Sequence, residues 1–254
     1  EPIKVSSRNV WTTGELVSNI VLRSGAAGNY VRLVEHIIAL KAGMDIDNLL
    51  IQTDSGDPPL FNEGSKEIVE ALQQAGRVEI EDQTVRYFTV TETASITTPH
   101  GGFLTIEPAK PGHRTLEIDC ARSFPNAIGQ QRIQFTLGEK AFAHGALART
   151  NATAKQKLML KTFGLLFADS RNLGYNKTNV LIAAKKEYVN TPSHIHDGKS
   201  LEAVWHRAIL DLLAALALIE EGRFVGKITD YKGGHYPDVQ MINLLYANNL
   251  LVEV

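Results

Sequence analysis

The chain has 254 residues, 44% of them hydrophobic, with 26 Lys and Arg against 28 Asp and Glu and a formal net charge of −2. This is enough apolar residue for one large domain or two moderate ones, and the near-neutral balance gives no overall basic field for nucleic acid or anionic lipid. A single cysteine, Cys120, excludes an intrachain disulfide framework and a multi-cysteine zinc site.

No run approaches the roughly 18 apolar residues of a spanning helix, so no transmembrane segment is expected. The N-terminus lacks the basic start and apolar centre of a secretion signal, which predicts a cytoplasmic protein with Cys120 as a core residue.

In chain order, residues 1–25 mix β-branched and polar residues and predict one or two strands. "NYVRLVEHIIALKAG" (29–43) places Val31, Val34, Ile37, Ile38 and Ala42 on one helical stripe that stops at Gly43. "IDNLLIQT" (46–53) reads as a buried strand. "SGDPPLFNEGS" follows as a loop, and "SKEIVEALQQAG" (65–76) as a second helix between Ser65 and Gly76. A first domain thus ends near residue 82.

The second part, 83–254, opens with four strand-like segments, "VRYFTVTETASITT", "GGFLTIEPA", "RTLEIDCA" and "QRIQFTL", expected to form an antiparallel meander. A helix around 154–167, the strand "TNVLIAA" (178–184) and a His-rich loop "NTPSHIHDGKS" (190–200) come next. The long helix 201–221 contains "AILDLLAALALI", apolar on nearly every face and therefore central to the fold. "GKITDYKGGH" (226–235) is a strand with a glycine turn, and "DVQMINLLYANNLL" (238–251) a terminal helix. The expected architecture is α+β: two similar two-layer domains, 1–82 and 83–254, each a mainly antiparallel sheet packed with two helices.

Asp211 is the acid inside the central helix, and an unpaired buried carboxylate is costly, so it needs a partner. In "VWHRAILD" (204–211), His206 lies five residues before it and Arg207 four. At about 100° per residue a pair five apart diverges by roughly 140°, while a pair four apart nearly eclipses. A regular helix therefore predicts an Arg207–Asp211 ion pair, with His206 on another face. Two arrangements would still give a metal site: a π-bulge before Asp211 that brings His206 inward, or His194 or His196 entering from the preceding loop.

Four segments in order, "LVEHIIALKAGMDIDNLLI" (33–51), "HGALARTNA" (144–152), "AILD" (208–211) and "GKITDYKGGH" (226–235), resemble the UDP-3-O-acyl-N-acetylglucosamine deacetylase family, the zinc amidohydrolases of lipid A synthesis. "PNAIGQQRIQFTLGEKAF" (125–142) and "NKTNVLIA" support the resemblance, which spans roughly residues 10–250. It implies two α+β domains with zinc between them. It assigns Glu35 as general base, His36 as first ligand, Thr150 as the polarising threonine, Asp211 as aspartate ligand, His235 as acid near the leaving group and Lys232 as a substrate contact.

The middle ligand departs from the family pattern. The family has a His and an Asp four apart, and setting "RAILD" on its "HKxLD" puts Arg207 where the His should be. Ala215 stands where the family has an Asp that orients the catalytic His, and "ARTNAT" lacks the aromatics of "ARTFGF". The sequence thus supports a non-catalytic relative without metal, binding an acylated UDP-sugar, a related glycolipid or a protein partner. The alternative is an active N-deacetylase with zinc on His36, Asp211 and a displaced His206. In a third arrangement a partner chain supplies the missing ligand.

Overall fold

The computed structural model describes residues 1–14, 18–53, 57–58, 63–153 and 178–254. It is a mixed α+β protein with mainly antiparallel sheets. The helix expected at 154–167 lies outside the described residues.

The N-terminal part is a small antiparallel sheet, β1 (Val10–Thr12), β2 (Val21–Arg23) and β3 (Tyr30–Val31), followed by α1 (Glu35–Gly43) and α2 (Lys66–Ala75). Helix α1 is shorter than the apolar stripe implied, because Tyr30 and Val31 pair with β2 and Leu33 takes a left-handed backbone, φ 57°. Periodicity could not register that break. Gly76 ends α2 as expected, at φ 77°. Residues 46–53 are not a buried strand: they form no strand, and Leu49, Leu50 and Ile51 are exposed. A short apolar run does not fix its own structure, and no described strand pairs with this one.

The larger sheet has five strands in the order β5 (Ala94–Thr97), β6 (Phe103–Glu107), β14 (Gly226–Tyr231), β7 (Leu116–Ser123) and β8 (Gln130–Thr136). The expected meander is interrupted, since β14 enters between β6 and β7, antiparallel to one and parallel to the other. Burial alternates along β6 and β8, so one face of the sheet meets the core. A second sheet sets β4 (Tyr87–Val90) between β13 (Arg223–Phe224) and β15 (Leu251–Glu253). β9 (Thr150–Thr153) and β10 (Val180–Ala183) form a parallel pair, and β11 (Ile195–His196) with β12 (Lys199–Ser200) a small hairpin inside the His-rich loop.

The long helix runs from Glu202 to Leu216 and is the centre of the core, with Val204, Ala208, Ile209, Leu213 and Ala214 fully buried. Helix α1 packs along its second half, and Lys41 Nζ donates to Ala217 O and Ile219 O. Helix α3 (Glu139–Gly145) crosses its middle, where a Cβ on Gly145 would lie 2.3 Å from Ile209 Cγ1. The last helix runs from His235 to Ala247, three residues earlier than expected at its start, and Leu251 already belongs to β15. Cys120 is buried in β7, as expected. No helix among the described residues is long and apolar enough to cross a membrane.

Candidate metal centre

The long helix is not regular. Residues Arg207–Asp211 form one π-turn, closed by the Leu212 N–H donating to Arg207 O. The wider turn accommodates one more residue, so the five-residue step from His206 to Asp211 brings both side chains to one side, as four residues do in an α-helix. His206 Nε2 lies 3.4 Å from Asp211 Oδ1. The sequence-based ion pair is therefore corrected. Arg207 turns away from Asp211 and binds Asp230 and Asp238, while Asp211 faces His206 and, at 3.7 Å, His235 Nε2.

Setting the extra residue inside the turn also moves the comparison with "HKxLD". Arg207 then follows the histidine, in the place of that motif's Lys, and does not replace the histidine itself.

His36 completes the cluster. It is the second residue of α1, and its ring stands edge-on to His206, with centroids 5.0 Å apart and an interplanar angle of 81°. One donor atom from each of His36, His206 and Asp211 lies within 4.8 Å of the others. Two donors about 2.0–2.1 Å from a tetrahedral zinc stand about 3.3 Å apart, which matches the His206–Asp211 separation. Two imidazoles and one carboxylate are also a donor set that leaves a coordination position open. The residues present fit a catalytic zinc.

Neighbours fix the protonation of each group. His206 Nδ1 donates to Ala148 O at 3.0 Å, since a carbonyl can only accept, and this turns Nε2 toward Asp211, where it carries a proton in the imidazolium and is free to bind a metal in the neutral ring. Burial would lower the pKa of His206, but Asp211 and the Ala148 bond raise it overall. His36 is pushed down to about 3, by burial first and then by His206, and is neutral at pH 7. Burial alone would raise Asp211, yet His206 and His235 hold it well below the carboxylate range.

Glu35 opens α1 immediately after the strained Leu33 segment. Its carboxylate accepts from Ile20 N–H at 3.1 Å, and burial carries its pKa up to about 7. His235 is lowered to about 4, chiefly by burial, with Arg207 and His206 adding to the shift. Its Nδ1 is buried and has no hydrogen-bond partner among the described residues, and Ala215 is a plain buried core residue.

Thr150 begins β9, two residues beyond the carbonyl that holds His206. Its neighbour Arg149 is fixed by Glu202 at the start of the long helix, with Nε to Oε1 at 2.6 Å and Nη2 to Oε2 at 3.0 Å. Lys232 has φ 53° and holds its ammonium 5.1 Å from the Tyr231 ring centre. His194 and His196 stay outside the cluster: His194 Nε2 donates to His144 O, and His196 is exposed beside Asp197. Sequence reasoning missed Asp230, Asp238 and Glu202. For Asp230 the available signal was the alternation along β14, which sets it on the same buried face as Ile228.

Fold and site together define a partly buried cluster of two histidines and one carboxylate that could hold a metal ion, with an adjacent buried glutamate, mounted on an α+β scaffold. A family profile described as UDP-3-O-acyl N-acetylglycosamine deacetylase matches residues 1–247. The chain is similar to the UDP-3-O-acyl-N-acetylglucosamine deacetylases of Stenotrophomonas maltophilia strain R551-3 (27% identical, covering 92% of this chain and 74% of that protein) and Aquifex aeolicus (25%, 90% and 74%). It is 31% identical to that of Thermosynechococcus vestitus, over 85% of this chain and 70% of that protein. The chain belongs to the UDP-3-O-acyl-N-acetylglucosamine deacetylase family.

Proposed function

We propose that this protein is a zinc-dependent N-deacetylase acting on a UDP-3-O-acyl-N-acetylglucosamine-type substrate. The observation that carries the reading is the π-turn, which returns His206 to Asp211 and His36 despite the extra residue. The non-catalytic reading depended on Arg207 standing at a ligand position, and Arg207 is engaged elsewhere. A ligand from a partner chain is not needed, since one chain supplies three.

In this reading His36, His206 and Asp211 hold the zinc, which supplies Lewis acidity and a water of lowered pKa. Glu35, poised near neutrality by burial, takes the proton from the attacking water. Thr150 donates its hydroxyl to the amide oxygen as charge develops there. The proton that Glu35 has taken from water would pass to the departing amine by way of His235, which is neutral near pH 7 and so can accept it and hand it on, and Lys232 would face the anionic part of the substrate.

Elemental analysis of protein purified without chelator tests the reading, with an assay for release of the free amine beside it. About one zinc per chain, lost in His36→Ala together with hydrolysis, is the expected result. Protein that takes up no zinc at added micromolar metal would return the chain to the metal-free, ligand-binding alternative.

A further inference from the structure

The residue that most resists the surrounding chemistry is Arg207, a guanidinium 1% exposed in the middle of an apolar helix. Its Nε donates to Asp230 Oδ2 at 2.9 Å, and Nη1 and Nη2 donate to the two oxygens of Asp238, each at 2.5 Å. Asp230 is near the end of β14, and Asp238 is in the first turn of the last helix, one turn after His235. Cys120 Sγ points at the same Asp230 oxygen from β7, at 3.4 Å. A Cβ on Gly233 would lie 2.0 Å from Asp230 Oδ1 and 2.7 Å from Arg207 Nη2, so the turn between them closes on the charge without room for a side chain.

Arg207 is also the first residue of the π-turn and directly follows His206. A π-turn is rare and needs support from its surroundings. The planar fork of an arginine fixes direction as well as charge. We infer that Arg207 is a positioning residue: its clamp on Asp230 and Asp238 fixes the π register that aims His206 at the metal centre, and ties the metal-bearing helix to the turn that carries His235. The clamp also helps to place His235, whose Nδ1 has no partner among the described residues: Arg207 holds the Asp238 carboxylate one turn on, and Arg122 Nη1 donates to Gly233 O in the turn before it. The inference deepens the zinc-centre reading and rests on it for its catalytic meaning, but the clamp is testable without metal.

The test is imidazole NMR on metal-free protein, followed by zinc titration against a competing chelator. In the wild type the His206 Nδ1–H bonded to Ala148 O gives a ring proton protected from exchange. Arg207→Met is expected to lose that protected signal while unfolding cooperatively, and to bind zinc about 10- to 100-fold more weakly. Removing Ala208 from the Arg207→Met chain restores α-helical spacing between His206 and Asp211, so it should recover both readouts. If Arg207→Met does not fold, Arg207→Lys decides: lysine keeps the charge but cannot grip both carboxylates, and the same losses are expected in weaker form. A folded variant of either kind that keeps the wild-type ring signal and zinc affinity overturns the inference. Wild-type protein that shows the signal but never binds zinc would end the hydrolase reading and leave the clamp standing.

Discussion

His206 and Asp211 stand five residues apart in sequence and 3.4 Å apart across one π-turn, which brings a pair that a regular helix would separate to one side of the helix. The first consequence concerns their separate substitution. His206→Ala should abolish high-affinity zinc binding as completely as His36→Ala does. Arg207→Ala should spare the three donors while loosening them. Metal content and affinity across these variants distinguish a ligand from its neighbour.

Glu35 holds a buried carboxylate against the Ile20 amide, one residue before His36. Glu35→Gln should keep zinc and substrate affinity, and lower kcat about 10²- to 10⁴-fold, the usual share of a positioned proton acceptor. A fall in zinc content of the same size would instead give Glu35 a structural role.

The Arg149–Glu202 pair fastens the segment leading to Thr150 onto the long helix. Glu202 accepts from Arg149 N, Nε and Nη2 and from Ser193 N, and its side chain is fully buried. Burial pulls its pKa upward, but these bonds win and leave it below the ordinary 4.5. A depressed carboxylate stabilises the fold above its ordinary value, and that stabilisation disappears as pH falls through the folded value. Glu202→Gln should therefore cost about 2 kcal/mol near pH 7. The gap from wild type should narrow below pH 4.5, which denaturant titrations at several pH values would show.

Gly145 lets α3 rest directly on the π-turn. Gly145→Ala puts a methyl 2.3 Å from Ile209 Cγ1 and 2.8 Å from its Cβ. Overpacking there should destabilise the protein by about 1–3 kcal/mol. Because Ile209 lies within the π-turn, zinc affinity should fall with it, as thermal unfolding and chelator competition would show together.

Much of this fold was legible because periodicity reports burial: α2, the strands β6, β7 and β8 and the apolar central helix lie close to where their patterns put them. The exposed stretch 46–53 was misread because "NLLI" carries the same pattern whether or not a neighbouring strand is there to pair with it. The insertion of β14 into the sheet is a long-range pairing that no local pattern encodes. At the site, Glu35, His36 and Asp211 were legible through motif resemblance. His206 was legible only as the alternative that needs a π-bulge, because a spacing of five is out of step on a regular helix and the contacts of Arg207 beside the wide turn reach Asp230 and Asp238, farther along the chain.

The place of β14 bears on how such a chain is made. The hairpins β5–β6 and β7–β8 can form as soon as residue 136 has left the ribosome, yet each presents an open inner edge until residues 226–231 arrive to bridge them. Open edges of that kind recruit foreign strands. In the same interval the charge of Arg207 has neither of its aspartates, and the helix has no reason to adopt its wide turn. In a nascent chain of this protein the five-stranded sheet is therefore closed, and Arg207 given its partners, only once residues 226–238 have been made, so the approach of His206 to Asp211 belongs among the last folding events.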